Sequence, residues 1–156
     1  MVKSYKGVQK VKEKTVLDMP VTVENYMTRR LVTFQPDQTM DQVLDLLLKK
    51  NISGGPVIDE QNNLIGVISE GDCLKEVVKG KYNDIPTLSG LVRDHMAKDV
   101  KSVSPDMNIF DLAQMFLNMR LRRFPVLKNG KLVGQISQKD VMRAVIKLYN
   151  DSHLHK

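Results

Sequence analysis

Two stretches of the sequence, Gly66-Val67-Ile68-Ser69-Glu70-Gly71-Asp72 and Gly134-Gln135-Ile136-Ser137-Gln138-Lys139-Asp140, share the pattern Gly-x-Ile-Ser-x-x-Asp. In both, an apolar run typical of a strand leads into a Ser that is followed three residues later by an Asp. This spacing predicts the start of a helix, because the Ser and the Asp can together cap unpaired N–H groups of the first turn. Each stretch therefore predicts a strand that turns directly into a helix.

The pattern belongs to a longer internal repeat. The segments Tyr26-Met27-Thr28 and Pro36-Asp37 recur as His95-Met96-Ala97 and Pro105-Asp106, 69 residues further on. One residue is then lost in a polar turn, so the two Gly-x-Ile-Ser-x-x-Asp stretches lie 68 residues apart. Apolar positions at helical spacing match as well: Met40, Val43, Leu44 and Leu47 align with Ile109, Leu112, Ala113 and Phe116. Self-similarity at a fixed offset indicates one structural unit that is written twice.

Hydrophobic period and turn residues predict the order β-α-β-β-α in each copy, an α/β (α+β) fold class. The elements predicted for the first copy are strand 31–34, a helix from Met40 after a Thr39 cap, strands 56–58 and 64–68, and a helix from Ser69 towards Gly80. Those of the second copy are a strand near Val103, helix 108–119, strands 124–127 and 132–136, and helix 138–148. Because three short strands with helices on one face leave the other sheet face uncovered, we expect the repeats to pack sheet to sheet with pseudo-twofold symmetry, with clefts at their interface.

The chain divides by composition into a basic N-terminal extension (1–22), repeat 1 (23–80), a linker (81–90), repeat 2 (91–148) and a C-terminal tail (149–156). The net charge of +6 is uneven, with seven basic and ten acidic residues over 23–88 and twelve basic and six acidic residues over 89–156. The remaining excess lies in the Lys-rich first 22 residues, which are typical of a solvated tail. We therefore do not expect nucleic acid as a partner.

Several other function classes lack a sequence signal. The single cysteine, Cys73, cannot form an internal disulfide, and no apolar run reaches the ~18 residues of a membrane span. Together with the absence of a secretory signal, this favours a cytoplasmic protein without membrane contact. Phosphate-binding Gly-rich loops, catalytic triads and metal-ligand spacings are absent too, so we expect neither enzymatic activity nor a metal site.

The duplicated motif supports two interpretations. In the first, Ser and Asp are caps and nothing more, and the chain is a protein- or nucleic-acid-interaction module with no nucleotide bound. In the second, the same helix start binds a nucleotide, because free N–H groups and a Ser hydroxyl can bind phosphate and the carboxylate can accept hydrogen bonds from a ribose diol. Gly66 and Gly134 would leave room for such a ligand.

The order and duplication of these motifs resemble a tandem pair of cystathionine-β-synthase (CBS) domains, also called a Bateman module, over residues 23–148. The resemblance implies a non-catalytic regulatory module that senses an adenosine-containing ligand, AMP, ADP, ATP or S-adenosylmethionine, and requires no cofactor. It also implies a homodimer and an unidentified output protein. In the family, the motif Asp holds the ribose and the motif Ser or Thr holds phosphate. These roles fall to Asp72 with Ser69 and to Asp140 with Ser137.

The resemblance further assigns residues that line the base. They are Thr33, Phe34, Gly55 and Pro56 in one copy, and Ser102, Val103, Phe124 and Pro125 in the other. Basic residues before the Pro often reach phosphates in the family, including those of a ligand held by the opposite copy. Arg122 and Arg123 hold these positions in the second repeat, whereas the first has Ser53 and Gly54. With Arg122 and Arg123 as phosphate contacts for a ligand of the opposite copy, Asp72 with Ser69 would be the better-served site. We therefore expect the two sites to bind an anionic nucleotide with unequal affinity.

Overall fold

The computed structural model describes residues 2–7 and 20–154, which form an α+β fold as expected. Most of the predicted helices and strands are present, with ends shifted by a few residues at most places. In chain order the elements are β1 (Lys3–Tyr5), α1 (Val23–Tyr26), α2 (Met40–Lys50), β2 (Gly54–Ile58), β3 (Leu64–Ser69), α3 (Glu70–Val78), α4 (Val92–His95), β4 (Lys101–Val103), α5 (Ile109–Met119), β5 (Arg123–Lys128), β6 (Lys131–Ser137) and α6 (Gln138–Leu154), with a 3-10 turn at Lys81–Asn83.

The first of two compact units contains Leu31–Val100 and Gly130–Leu132, with the first residues of the chain. Its β2 and β3 pair antiparallel, and the predicted strand 31–34 is reduced to a parallel bridge between Phe34 and Val57. Ala97 pairs antiparallel with Val67 on the other side of β3. Helices α2 and α3 pack on the sheet around a core made of Phe34, Met40, Val43, Leu47, Val57, Ile68, Cys73 and Val92.

The second unit contains Ser4–Arg30, Lys101–Asn129 and Val133–Lys156, as far as these residues are described. Its sheet has the strand order β1-β4-β5-β6, in which Val103 of β4 pairs parallel with Val126 of β5. Thr28 pairs antiparallel with Gln135 beside β6. The core consists of Val23, Met27, Val103, Met107, Leu112, Phe116, Phe124, Val126, Ile136 and Val141.

Each unit is completed by the segment that begins the other repeat. Helix α1 opens repeat 1 but belongs to the second unit, where the Val23 N–H donates to Met107 O at 2.8 Å. Helix α4 opens repeat 2 but belongs to the first unit, where the Val92 N–H donates to Gln38 O at 2.9 Å. Met107 and Gln38 are equivalent positions of the two repeats, so the exchange is reciprocal. The compact units and the sequence repeats thus divide the chain differently.

Gly66 and Gly134 make this exchange possible. A Cβ at Gly66 would lie 2.9 Å from Ala97 O and 2.5 Å from Met96 Sδ, and one at Gly134 would lie 2.9 Å from Thr28 O and 2.7 Å from Met27 Sδ. The room that the sequence suggested for a ligand is therefore taken by the exchanged segment of the chain.

Both ends of the described chain differ from expectation. In the basic extension, β1 adds an edge strand to the second sheet: Lys3 N–H donates to Val100 O and Ser104 N–H donates to Tyr5 O, at 2.8 and 3.1 Å. Residues 8–19 of the extension lie outside the described part of the chain. Helix α6 runs beyond the predicted end at 148 to Leu154, and its last turns carry a ring contact between Tyr149 and His153 with centroids 4.0 Å apart.

Replacing Gly66 with Ala tests the exchange. We expect this substitution to lower the free energy of unfolding by about 1–3 kcal/mol, because the new methyl group meets the backbone of Ala97. Gly71→Ala is the matched control: its Cβ would approach only Ser69 Oγ, at 3.5 Å, and Ala favours the helix by about 1 kcal/mol. Denaturant unfolding of both variants checks this, and equal stability of the two would contradict it.

Candidate ligand sites

The first Ser-x-x-Asp motif caps the start of α3. The backbone N–H and the hydroxyl of Ser69 both donate to Asp72 Oδ2, at 2.8 and 3.1 Å. Both residues are partly buried, and no ion pair among the described residues includes Asp72. The predicted cap of α3 is therefore present. It leaves the second carboxylate oxygen of Asp72 outside the cap.

The second motif forms a similar but not identical cap at the start of α6. Ser137 N–H donates to Asp140 Oδ2 at 2.8 Å, and Asp140 N–H donates to Ser137 Oγ at 3.2 Å. The other oxygen, Asp140 Oδ1, lies 3.4 Å from Arg143 Nη1. Arg143 was not among the predicted site residues, although acidic and basic residues three apart on a helix are a recognisable signal. The equivalent residue of the first repeat, Lys75, is exposed.

Small residues surround the first helix start. Glu70 N–H donates to Ser53 O at 2.9 Å, and Gly54 of β2 pairs with Ser69 of β3. A Cβ at Gly55 would lie 2.8 Å from Val32 O and 2.9 Å from the Phe34 ring, so the segment that contains Val32 and Phe34 approaches closely here. The backbone of this region comes near Ser69 without large side chains between them.

Arginine replaces these small residues at the second helix start. Gln138 N–H donates to Arg122 O at 3.0 Å, and the Gln138 side-chain amide donates to Leu121 O at 2.8 Å. These bonds hold Arg122 beside the first turn of α6, and its side chain is exposed. Arg123, the first residue of β5, is exposed as well. The second unit therefore combines a helix N-terminus, the Ser137 hydroxyl and a guanidinium group.

The remaining residues expected to line the base divide into two groups. Phe34, Val103 and Phe124 are fully buried in the cores of their units, and the rings of Phe124 and Phe116 lie 4.9 Å apart between centroids. These three residues are enclosed as a whole, so neither their side chains nor their backbone atoms present a surface to a ligand. Gly55, Pro56, Ser102 and Pro125 are also buried, whereas Thr33 is partly exposed.

The cysteine of the chain has a structural rather than a chemical role. Cys73 packs in the first core, where burial, with smaller contributions from Asp72 and Glu70, raises the pKa of its thiol. A raised pKa keeps the thiol protonated and unreactive.

Within residues 2–7 and 20–154, no three His, Cys, Asp or Glu residues are grouped as a metal site would require. No helix in these ranges has the length and apolar content of a membrane span.

Comparison with known proteins identifies the fold. The CBS domain family profile matches residues 23–79 and 92–147. The chain belongs to the CBS domain family. Its two profile matches coincide with the two sequence repeats, so the resemblance seen in the motifs is confirmed as a tandem CBS pair.

Individual relatives of this CBS pair extend the comparison. An uncharacterised 17.7 kDa protein from the bps2 3′ region of Acidianus ambivalens is 31% identical over 132 residues, which cover 84% of this chain and 77% of the relative. An uncharacterised protein of Methanocaldococcus jannaschii is 27% identical, and the match spans only 41% of that longer protein. The crystal structure of CBSX2 from Arabidopsis thaliana in complex with AMP is 32% identical, with a TM-score of 0.69 over 83% of this chain and 99% of that one.

Proposed function

We propose that this CBS pair is a non-catalytic regulatory module that binds an adenine nucleotide at the helix starts marked by Ser69 with Asp72 and by Ser137 with Asp140. The observation that carries the proposal is the duplicated cap, in which each Asp accepts the Ser backbone N–H through one oxygen at 2.8 Å. The second oxygen of each carboxylate lies outside that bond, and a ribose diol can donate to it. The AMP complex of the similar CBSX2 supports the same ligand class.

The chemistry of each helix start suits a nucleoside phosphate. The first N–H groups of a helix attract an anion, and the Ser hydroxyl adds a further hydrogen-bond donor. Gly54 and Gly55 do not open space for the base, because a Cβ at Gly54 would lie 2.6 Å from Ile68 O and one at Gly55 would lie 2.8 Å from Val32 O. We therefore place ribose on the Asp, phosphate on the Ser and the helix N-terminus, and the base beside Thr33 and the adjoining strands, which contain Pro56, Ser102 and Pro125.

The two sites differ in charge, and this difference predicts their selectivity. The second has Arg122 and Arg123 where the first has Ser53 and Gly54. Asp140 is engaged by Arg143, whereas Asp72 is not paired with a cation in the described chain. The sequence favoured Asp72 with Ser69 as the better-served site, but Arg122 lies beside the first turn of α6 in its own unit. We therefore propose that the second site prefers phosphorylated ligands, and that the first distinguishes less between adenosine and its phosphates.

Helix α6 carries an exposed apolar stripe. On α6, four apolar side chains at helical spacing are exposed, Met142, Val145, Ile146 and Tyr149, with exposed fractions between 42% and 62%. An apolar stripe of this kind is more typical of an interface than of a solvated surface. We propose that two copies of the chain associate through this stripe and that a separate output protein responds to the occupied dimer.

Thermal melting with AMP tests the ligand class. We expect AMP at a hundredfold excess over its Kd to stabilise the protein by about 2.7 kcal/mol. Asp72→Asn and Asp140→Asn keep an acceptor for the cap, so each alone should fold normally and each should reduce the AMP effect. If no adenine nucleotide raises the melting temperature and DNA binds in a salt-sensitive way instead, the interaction-module alternative is correct.

Calorimetry with AMP and adenosine tests the role of Arg122. We expect Arg122→Gln to weaken AMP binding to the second site about tenfold, because a charge-assisted hydrogen bond to phosphate is lost. Adenosine, which has no phosphate, should bind this variant and the wild type equally. Lys128→Gln is the control, because Lys128 is exposed at the far end of β5, the strand that follows Arg122. An equal loss for both ligands would show that Arg122 does not contact phosphate.

Ile146→Glu tests the proposed dimer. We expect a charge in the middle of the α6 stripe to convert a dimer into a monomer without loss of thermal stability of the fold, since Ile146 is 62% exposed. Analytical ultracentrifugation measures the change, with Lys147→Glu on the same helix as the control. A wild-type protein that sediments as a monomer at high concentration would contradict this proposal.

A further inference from the structure

The short helices α1 and α4 begin the two repeats, and each docks on the unit that is built mainly by the other repeat. The two docking contacts share their backbone geometry. Ile109 N–H donates to Val21 O at 2.9 Å in the second unit, and the equivalent Met40 N–H donates to Gly90 O at 3.3 Å in the first. Backbone hydrogen bonds therefore do not distinguish the two helices. The side chains at the two contacts, in contrast, differ.

In the first unit, the segment 89–95 docks against a buried carboxylate. The side chain of Glu76 on α3 is only 1% exposed, and it accepts hydrogen bonds from Lys79 Nζ at 2.5 Å and from Ser89 Oγ at 3.3 Å. His95 Nε2 lies 3.2 Å from Glu76 Oε1 and 3.0 Å from Ser89 O. Because both oxygens can only accept, this nitrogen bears the hydrogen. Two of the three donors around Glu76 thus come from the docking segment.

Glycines on both sides of this contact leave room for it. Gly90 directly precedes the docked helix; its φ is +91°, and a Cβ there would lie 2.5 Å from His95 Nε2. Gly80 follows α3 and is buried, and a Cβ there would collide with Ile85 O of the linker. A larger side chain at either position would displace the imidazole or the linker from the contact.

In the second unit, the equivalent positions form an apolar cluster. Its members are Val21, Tyr26, Ile109, Ala144 and Leu148. Ala144, which is 1% exposed, takes the place of Glu76, and Tyr26 takes the place of His95. The Tyr26 hydroxyl donates to Pro20 O at 2.7 Å, the counterpart of the contact between His95 and Ser89. A small residue at position 144 leaves space for the larger tyrosine ring.

Each docking segment suits only its own unit. On the first unit, the segment 20–26 would offer Glu76 at most the Tyr26 hydroxyl in place of two donors, because Pro20 has neither an N–H nor a hydroxyl. A buried carboxylate that loses a partner is strongly destabilising. On the second unit, the segment 89–95 would set the hydroxyl of Ser89 and the ring N–H of His95 against apolar side chains.

We propose that these side chains decide which short helix closes which unit. A polar match serves the first unit and an apolar match serves the second. The residues of the polar match are Ser89, Gly90 and His95 with Glu76, and those of the apolar match are Val21 and Tyr26 with Ala144.

Correct docking also holds the strands that lead into the two capped helix starts. Beyond α4, Ala97 pairs with Val67 of β3, the strand that ends at Ser69. Beyond α1, Thr28 pairs with Gln135 of β6, the strand that ends at Ser137. The two matches therefore keep each strand bound to its own partner segment, although the sequence contains two copies of both.

Amide hydrogen exchange of the full chain reports each docking contact separately. Val92 N–H donates to Gln38 O in the first unit, and the equivalent Val23 N–H donates to Met107 O in the second. We expect His95→Tyr to lower the protection of the Val92 amide about tenfold, the size of a hydrogen bond to a charged group, and to leave the Val23 amide unchanged. No nucleotide is added, so the result does not depend on the proposed ligand.

Adding Glu76→Ala to His95→Tyr tests the matching itself. The double variant installs the tyrosine and alanine of the second unit in the first. We expect its Val92 amide to be protected about tenfold more than in His95→Tyr alone, because the unmatched carboxylate is gone. If the contact only added stability and carried no specificity, the second substitution would lower protection further.

A second pair of variants and a control complete the experiment. His95→Ala, alone and with Glu76→Ala, gives the same comparison if the tyrosine variants do not fold, because it also removes the donor to the carboxylate. Lys75→Gln, at an exposed position of α3, should leave both amides unchanged. Wild-type protection of Val92 in His95→Tyr, or a further loss when Glu76→Ala is added, would overturn the proposal.

Discussion

The reciprocal exchange of segments is the constraint on which the rest of the structure depends. Thr28 of the first repeat pairs with Gln135 of the second, and Ala97 of the second pairs with Val67 of the first. Each pairing requires a glycine, Gly134 or Gly66, because the incoming backbone lies where a Cβ would be. Neither repeat can complete its own unit, so the duplication in the sequence is a requirement of the fold. The same contacts fix the strands that lead into Ser69 and Ser137.

The local parts of this architecture could be predicted from the sequence, and the long-range parts could not. Helices α2, α3 and α5 and the paired strands follow from apolar spacing, caps and turns, which are properties of neighbouring residues. The four-residue helices α1 and α4 are too short to show a period, and their exchange between units has no local signal. Strand β1 was missed for the same reason, since three residues, Lys3–Tyr5, gain their structure only from pairing with β4.

The candidate site could also be predicted only in part. The sequence predicts Ser69, Asp72, Ser137 and Asp140 as candidate site residues, because capping and phosphate binding need the same atoms at the same spacing. The sequence does not show which side chains face inward. In the structure, Phe34, Val103 and Phe124 are buried in the cores of their units.

The difference in charge between the repeats could be predicted from Arg122 and Arg123, whereas the pairing of Asp140 with Arg143 could be seen only in the structure. Likewise, the buried carboxylate of Glu76 contacts Ser89 and His95, which lie 13 and 19 positions further along the chain and could not be predicted as its neighbours.

The molecule has two related but unequal units, each with a capped helix start that we propose as a nucleotide site. A crystal structure of the chain grown with AMP tests this claim most directly. We expect ribose hydroxyls to lie within hydrogen-bond distance, about 2.6–3.2 Å, of the Asp72 or Asp140 carboxylate. We also expect phosphate near Ser137 and Arg122 when the second site is filled. AMP bound elsewhere on the protein, with both Asp residues engaged only in their caps, would contradict it.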